Sequence, residues 1–283
     1  MLLWIEAARP KTLIASLSPL LIGNAIAYSY GSWSLPIFLS TLVAALSIQI
    51  GTNYVNDYAD QEKGRDTSLR KGPRRLTSSS LITVSAMKRG AFCAFALAAL
   101  SSLFLIYVGG FPVALLSLTS ITLGYLYSLS RFSLSSQGTA DLFVLLFFGV
   151  LATGFSTYLQ TGLYLQEAFL AGLSPGCLSL ALLTANNLRD YEEDLLTHKK
   201  TLVVRLGKKA GCFEYLISLY VATLIPFLFL KEHAFLILAS VSLLFAYPLI
   251  RQVFESRNLP QVLSKTGFFF FIYTLLFIIG WLV

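Results

Sequence analysis

Charged side chains are absent from long stretches of the chain. Residues 12–56 carry none and are long enough for two membrane-crossing helices, with a break at Tyr30-Gly31-Ser32-Trp33-Ser34-Leu35-Pro36. Residues 90–130 also carry none and hold two more, broken at Gly109-Gly110-Phe111-Pro112. Residues 142–166 and 168–188 each hold one, and three more fall near 211–230, 234–250 and 266–283. The pattern therefore predicts an all-α bundle of nine transmembrane helices, laid out as two parallel four-helix halves plus one. The runs are too long and too uniformly apolar for a transmembrane barrel, whose strands are alternating segments of about ten residues. Arg9 and Lys11 precede the first run as in a signal peptide. The run is too long for that and a second span follows at once, so it reads as a retained helix.

Composition agrees. Of 283 residues, 56 % are hydrophobic and only 12 % charged, whereas a soluble domain carries about 25 %. A water-soluble globule and a disordered chain are both excluded, and the whole of 1–283 reads as one membrane domain. The 21 Lys and Arg outnumber the 14 Asp and Glu, for a net charge of +7. If the N-terminus is cytoplasmic, every one of those bases except Lys231 falls on the cytoplasmic side, as the positive-inside rule expects.

The acids gather on that side too, although the rule does not require it. Asn53, Asn56, Asp57 and Asp60 form one helical stripe where the second helix leaves the apolar zone. Asn186, Asp190 and Asp194 form another at the end of the sixth, with Asn187 alongside. The same offset separates Asn53 from Asn186 and Asp57 from Asp190, which makes the stripes an internal repeat. Carboxylates so spaced repel one another, and a bound cation would relieve the repulsion. Oxygen-only ligands suit Mg²⁺, which favours a few carboxylates plus substrate phosphates. Asp57, Asp60, Asp66, Asp190 and Asp194 are the candidate metal ligands, and no Cys/His spacing suggests zinc. Lys63, Arg65, Arg70, Lys71 and Arg75 in one loop, and Arg189, Lys199, Lys200 and Arg205 in another, would neutralise phosphate charge. A diphosphate at the mouth of a helical bundle points to a lipid tail within it.

These residues resemble a known family. Asn56-Asp57-Tyr58-Ala59-Asp60 with Asp66, and Asn187-Leu188-Arg189-Asp190 with Asp194, are similar to the two Asp-rich motifs of UbiA-type intramembrane prenyltransferases. Arg9-Pro10-Lys11-Thr12, Gly72-Pro73 with Arg75, Gly138 with Asp141, Phe148-Gly149 and Thr201–Gly207 resemble the branch that prenylates 1,4-dihydroxy-2-naphthoate in menaquinone synthesis. The resemblance implies Mg²⁺-dependent transfer of a polyprenyl chain from its diphosphate to that acceptor, with loss of the ring carboxylate as CO₂. It implies catalysis by Asp57, Asp60, Asp190 and Asp194, with Asn53, Asn56, Lys63, Arg75, Asn186, Asn187, Arg189, Lys199 and Arg205 around the diphosphate. Arg9, Lys11, Tyr125 and Asp141 are the candidates for the acceptor. It also implies the cytoplasmic membrane of a bacterium, a site at its cytoplasmic face, and neither nucleic acid nor an obligate protein partner.

Two positions depart from the family pattern: Gly64 stands where many members carry a third acid, and His198 where Gly or Asp is usual. Tyr127, like Tyr125, ends a helix where interfacial tyrosine is ordinary. Cys93, Cys177 and Cys212 give no disulfide framework, and His233 on the far side reads as structural. Another acceptor on the same scaffold (a hydroxybenzoate or a lipid) is the alternative within enzymes. A transporter would place its ionisable groups near the midplane, whereas these sit at one interface.

Overall fold

The computed structural model describes residues 2–64, 72, 74–129, 134 and 137–283. Asp66, Arg65, Arg70, Lys71, Pro73 and Arg131 lie outside the described residues. Among the described residues there is no strand. The helices are α1 (Leu2–Ala8), α2 (Ile14–Ser29), α3 (Leu35–Glu62), α4 (Val84–Leu129), α5 (Ala140–Thr161), α6 (Gln166–Arg189), α7 (Tyr191–Leu196), α8 (Leu202–Leu206), α9 (Lys208–Phe229), α10 (Ala234–Phe254) and α11 (Leu259–Leu282).

Seven of these are long and apolar enough to cross a membrane, and an eighth results if the N-terminal segment bent by 59° before Ile14 counts as one span. The difference from the sequence-based nine lies in α4. Its 46 residues are two helical stretches joined across a kink, where Gly110 leaves helical geometry at φ 68, ψ −157, with Pro112 two residues on. At 1.5 Å per residue that length is about 69 Å, more than twice the hydrocarbon core. The positive φ is one that only glycine adopts cheaply, so the predicted break is present as a kink inside one element.

Long apolar residues remain exposed on the outer faces, among them Phe92, Tyr107, Phe111, Leu244 and Phe245. A soluble protein would bury them; in a bilayer they face lipid. Close approach inside the bundle is achieved with small residues. A Cβ on Gly149 would stand 2.4 Å from the Gly176 Cα and 2.5 Å from the Gly172 carbonyl, so α5 and α6 touch backbone to backbone there. Gly149 closes a π-helical turn, Leu146–Val150, that aims Phe147 and Phe148 into the bundle interior. Gly149→Ala is expected to cost about 3 kcal/mol by forcing these helices apart. Thermal melting of the detergent-solubilised protein would show it as a lowered Tm.

Candidate functional site

The ends of α3 and α6, with α7 and the Arg75 loop, enclose a small polar cleft. It is lined by Arg9, Asn56, Asp60, Arg75, Asn186, Arg189, Asp190, Glu193, Asp194, Thr197 and Lys199. Four carboxylates face four cationic side chains, so the cleft is close to neutral. Arg75 donates to the side-chain amide oxygen of Asn56 at 3.1 Å and also pairs with Asp60. Arg189 donates to the side-chain amide oxygen of Asn186 at 2.7 Å and grips Asp190 with two N–H groups, at 2.7 and 2.6 Å. The halves therefore repeat an arginine clamped onto an Asn-x₃-Asp pair. The structural counterpart of Asn186–Asp190 is Asn56–Asp60, not the Asn53–Asp57 pair suggested by spacing.

Asp57 stands apart from the other acids of the stripes. Its carboxylate accepts the main-chain N–H groups of Leu76 at 3.2 Å and Thr77 at 3.0 Å, and the Thr77 hydroxyl at 2.6 Å. It is buried and does not line the cleft. At about 100° per residue it lies on the opposite edge of the stripe from Asn56, and Leu76 and Thr77 take that edge. Asp57 thus anchors the segment that carries Arg75.

Asp194 is different. One oxygen lies 3.4 Å from the Lys199 ammonium, while the other is buried with no partner among the described residues. Burial raises its carboxyl to about 6, with Asp190 and Asp60 adding to the rise and Lys199 opposing it. Asp190 breaks the predicted continuous stripe: α6 ends at Arg189 and α7 starts at Tyr191, yet both acids still face the cleft.

Beyond the cleft an apolar cavity of about 330 Å³ runs into the bundle. Arg9, Asn56 and Asn186 line both spaces and mark their junction. Arg9 holds a left-handed φ of 55 at the bend before α2. Asn53 lines the cavity while donating to the Ala8 carbonyl at 2.9 Å. The walls include Tyr127, Phe143, Phe147, Phe148 and Phe155, with Thr41, Leu105 and Val113 at greater depth.

Several expected residues are elsewhere. Lys63 donates to the Ser128 carbonyl, outside the cleft. Arg205 donates to the Lys200 carbonyl at 3.2 Å and packs beside Gly138. Asn187 is buried off the cleft, and Lys11 and His198 are exposed. Tyr125 points outward against Phe95, so Tyr127 is the tyrosine that reaches the cavity. Asp141 is buried behind the cavity wall. Sequence reasoning passed over Glu193 and Thr197, which line the cleft; their signal was a place on the same face of α7 as Asp190 and Asp194.

No group of three or more His, Cys, Asp or Glu is gathered as a ready-made metal site among the described residues. The residues present nonetheless suit a cation that arrives with an anionic ligand. The donors are hard oxygens and the Asp194 oxygen lacks a partner. A nearly neutral cleft that receives a multiply charged anion also needs a compensating cation.

The profile of the UbiA prenyltransferase family matches residues 16–282. The chain belongs to the UbiA prenyltransferase family. It is therefore a membrane-embedded prenyltransferase by family. A 1,4-dihydroxy-2-naphthoate octaprenyltransferase of Escherichia coli is 36 % identical over 211 residues, covering 72 % of this chain and 68 % of that one. The enzyme of the same name from Mycobacterium tuberculosis is 32 % identical over 271 residues, covering 93 % and 91 %. A UbiA homolog from Archaeoglobus fulgidus, solved bound to GPP and Mg²⁺, superposes with a TM-score of 0.65 at 17 % identity, covering 99 % of each chain. An apo UbiA homolog from Aeropyrum pernix superposes at 0.71 and 13 % identity, covering 94 % and 98 %. At such identities these structures speak for the fold.

Proposed function

We propose that this UbiA family member transfers a polyprenyl chain from polyprenyl diphosphate to 1,4-dihydroxy-2-naphthoate, with loss of the carboxylate as CO₂, to give the quinol form of demethylmenaquinone, which is isolated as the quinone after oxidation in air. One observation carries the chemistry: the charged cleft opens directly into the apolar cavity through Arg9, Asn56 and Asn186. A diphosphate fits the first space and an isoprenoid tail the second. The choice of acceptor rests on the dihydroxynaphthoate enzymes among the relatives. The chain forms one domain of nine spans, with α4 counted as two about Gly110 and the N-terminal bent segment as one. Its N-terminus and cleft face the cytoplasm in a bacterial inner membrane.

Asp60, Asp190 and Asp194 would hold Mg²⁺ together with the diphosphate. When bound, the ion supplies Lewis-acid withdrawal of charge from the departing diphosphate. Arg75 and Arg189 present planar N–H forks suited to phosphate oxygens. Phe143, Phe147 and Phe148 shelter positive charge that develops on the allylic carbon, each by about 1–2 kcal/mol in a dry site. The apolar walls exclude water that would otherwise capture that carbon.

Membranes containing the protein, given dihydroxynaphthoate and a polyprenyl diphosphate, are expected to form demethylmenaquinone; EDTA should stop the reaction and Mg²⁺ restore it. Product formed only from hydroxybenzoate would overturn the acceptor, and chelator-resistant turnover would overturn the metal. A second expectation concerns pH. Asp194 ionises near 6, so kcat/KM at limiting Mg²⁺ should fall as pH drops through that value, and a flat profile would remove Asp194 from the site.

A further inference from the structure

The cavity wall next to the cleft is not uniformly apolar. Inward from Asp60 along α3, Asn56, Asn53 and Gln49 recur at helical spacing on one face, and all three line the cavity. Asn53 and Gln49 lie about 4.5 and 10.5 Å deeper than Asn56. One turn further in, the same face becomes apolar at Ala45. Gln49 is buried. Its Nε2 donates to the Thr12 carbonyl at 2.8 Å, and its Oε1 accepts the Ser16 hydroxyl. Asn53 donates to the Ala8 carbonyl at 2.9 Å. The two amides therefore hold the main chain on either side of Arg9, whose left-handed φ of 55 a non-glycine residue keeps only where its surroundings impose it. The Thr12 hydroxyl closes the same turn by donating to the Arg9 carbonyl at 3.0 Å. Each amide has capacity left over. The second Nε2–H of Gln49 and the side-chain oxygen of Asn53 find no partner among the described residues. An isoprenoid tail against this face would leave both unsatisfied in a dry site, which is costly. A hydroxyl satisfies both at once, accepting from Gln49 and donating to Asn53.

We infer that Gln49 and Asn53 form, with Arg9, the seat of the aromatic acceptor and select it by a ring hydroxyl. This rests on the prenyl transfer proposed above. In 1,4-dihydroxy-2-naphthoate the 1-hydroxyl bonds internally to the neighbouring carboxylate, so the 4-hydroxyl across the ring is the group that needs a partner. Arg9 lines both the cleft and the cavity and takes the carboxylate at their junction. The 4-hydroxyl then meets Asn53 and Gln49 deeper in. A donor whose diphosphate sits in the cleft brings its allylic carbon into the cavity past Asn56, beside a ring held at this depth. The aromatic wall of Phe143, Phe147 and Phe148 is left to the donor.

The test compares two ligands that differ by that hydroxyl, 1,4-dihydroxy-2-naphthoate and 1-hydroxy-2-naphthoate. Their binding to the full-length protein in detergent is read by naphthoate fluorescence under argon, without prenyl diphosphate. The wild type should bind the dihydroxy compound about tenfold more tightly, the worth of one or two hydrogen bonds in a dry site. In Gln49→Met and Asn53→Leu that preference should vanish. A residue that merely braced the bundle would weaken both ligands alike and leave their ratio at the wild-type value. In steady-state assays Gln49→Met should raise KM for the dihydroxynaphthoate about tenfold with KM for the prenyl diphosphate unchanged. Equal affinity of the wild type for the two ligands overturns the seat without any variant, and so does a wild-type ratio retained in both variants. A wild type that shows the preference yet prenylates no dihydroxynaphthoate overturns the function on which the seat rests and leaves the seat standing.

Discussion

Asp194→Asn is expected to lower prenyl transfer about 10²–10³-fold while raising thermal stability. The activity loss follows from removing one oxygen ligand from a charge-withdrawing site worth several kcal/mol, at about 1.4 kcal/mol per tenfold in rate. The stability gain follows from burial. An acid whose value is raised in the fold binds more protons folded than unfolded, so its ionisation destabilises the protein as pH climbs from the ordinary carboxylate range to about 6. The amide carries no charge to desolvate, so the variant should lack that decline and melt higher than wild type at neutral pH without added Mg²⁺. Asp57→Asn should do the opposite. It weakens a carboxylate that accepts Leu76 N–H, Thr77 N–H and the Thr77 hydroxyl, at about 1.5–3 kcal/mol for hydrogen bonds to a charged group. Its activity loss should come with a lower Tm and a higher KM for the diphosphate donor, because the segment bearing Arg75 loosens. Melting curves and steady-state kinetics on the two variants decide the assignment. Equal activity of Asp194→Asn and wild type would sink it.

The contrast between these two aspartates shows where sequence reading succeeds and where it stops. Helical periodicity placed both acid stripes at helix ends on one side of the bundle, because the spacing alone fixes which positions share a face. It could not say which edge of a stripe about 100° wide meets the partner half. That depends on the main chain at Leu76 and Thr77, which caps Asp57 with its own amides. The repeat was legible, but its register was set by Arg75 and Arg189, which clamp Asn56–Asp60 and Asn186–Asp190. The Gly110 kink, by contrast, was visible because a Gly-Gly-Phe-Pro sequence marks a break whatever surrounds it.

Ala45→Trp is expected to divide donors by length. Ala45 lines the cavity on α3, three turns deeper than Asn56, while Thr41 lines it a further turn on. From Asn56 to Thr41 the helix rises about 22 Å, enough for several isoprenoid units between the cleft and the far side of the bundle. An indole at position 45 fills that path about three-quarters of the way along it, without touching Asp60, Asp190 or Asp194. Geranyl diphosphate, whose tail ends above the obstruction, should keep nearly wild-type kcat/KM. Long polyprenyl donors would have to displace the ring or bend around it, an overpacking cost of about 1–3 kcal/mol, which is roughly 5–150-fold in kcat/KM. The measurement is kcat/KM across a series of donors of increasing length, with the acceptor saturating. A uniform loss at every length would mean that Ala45 supports the bundle rather than bounding the tail. Unchanged values throughout would mean that the tail leaves the helices before reaching this depth.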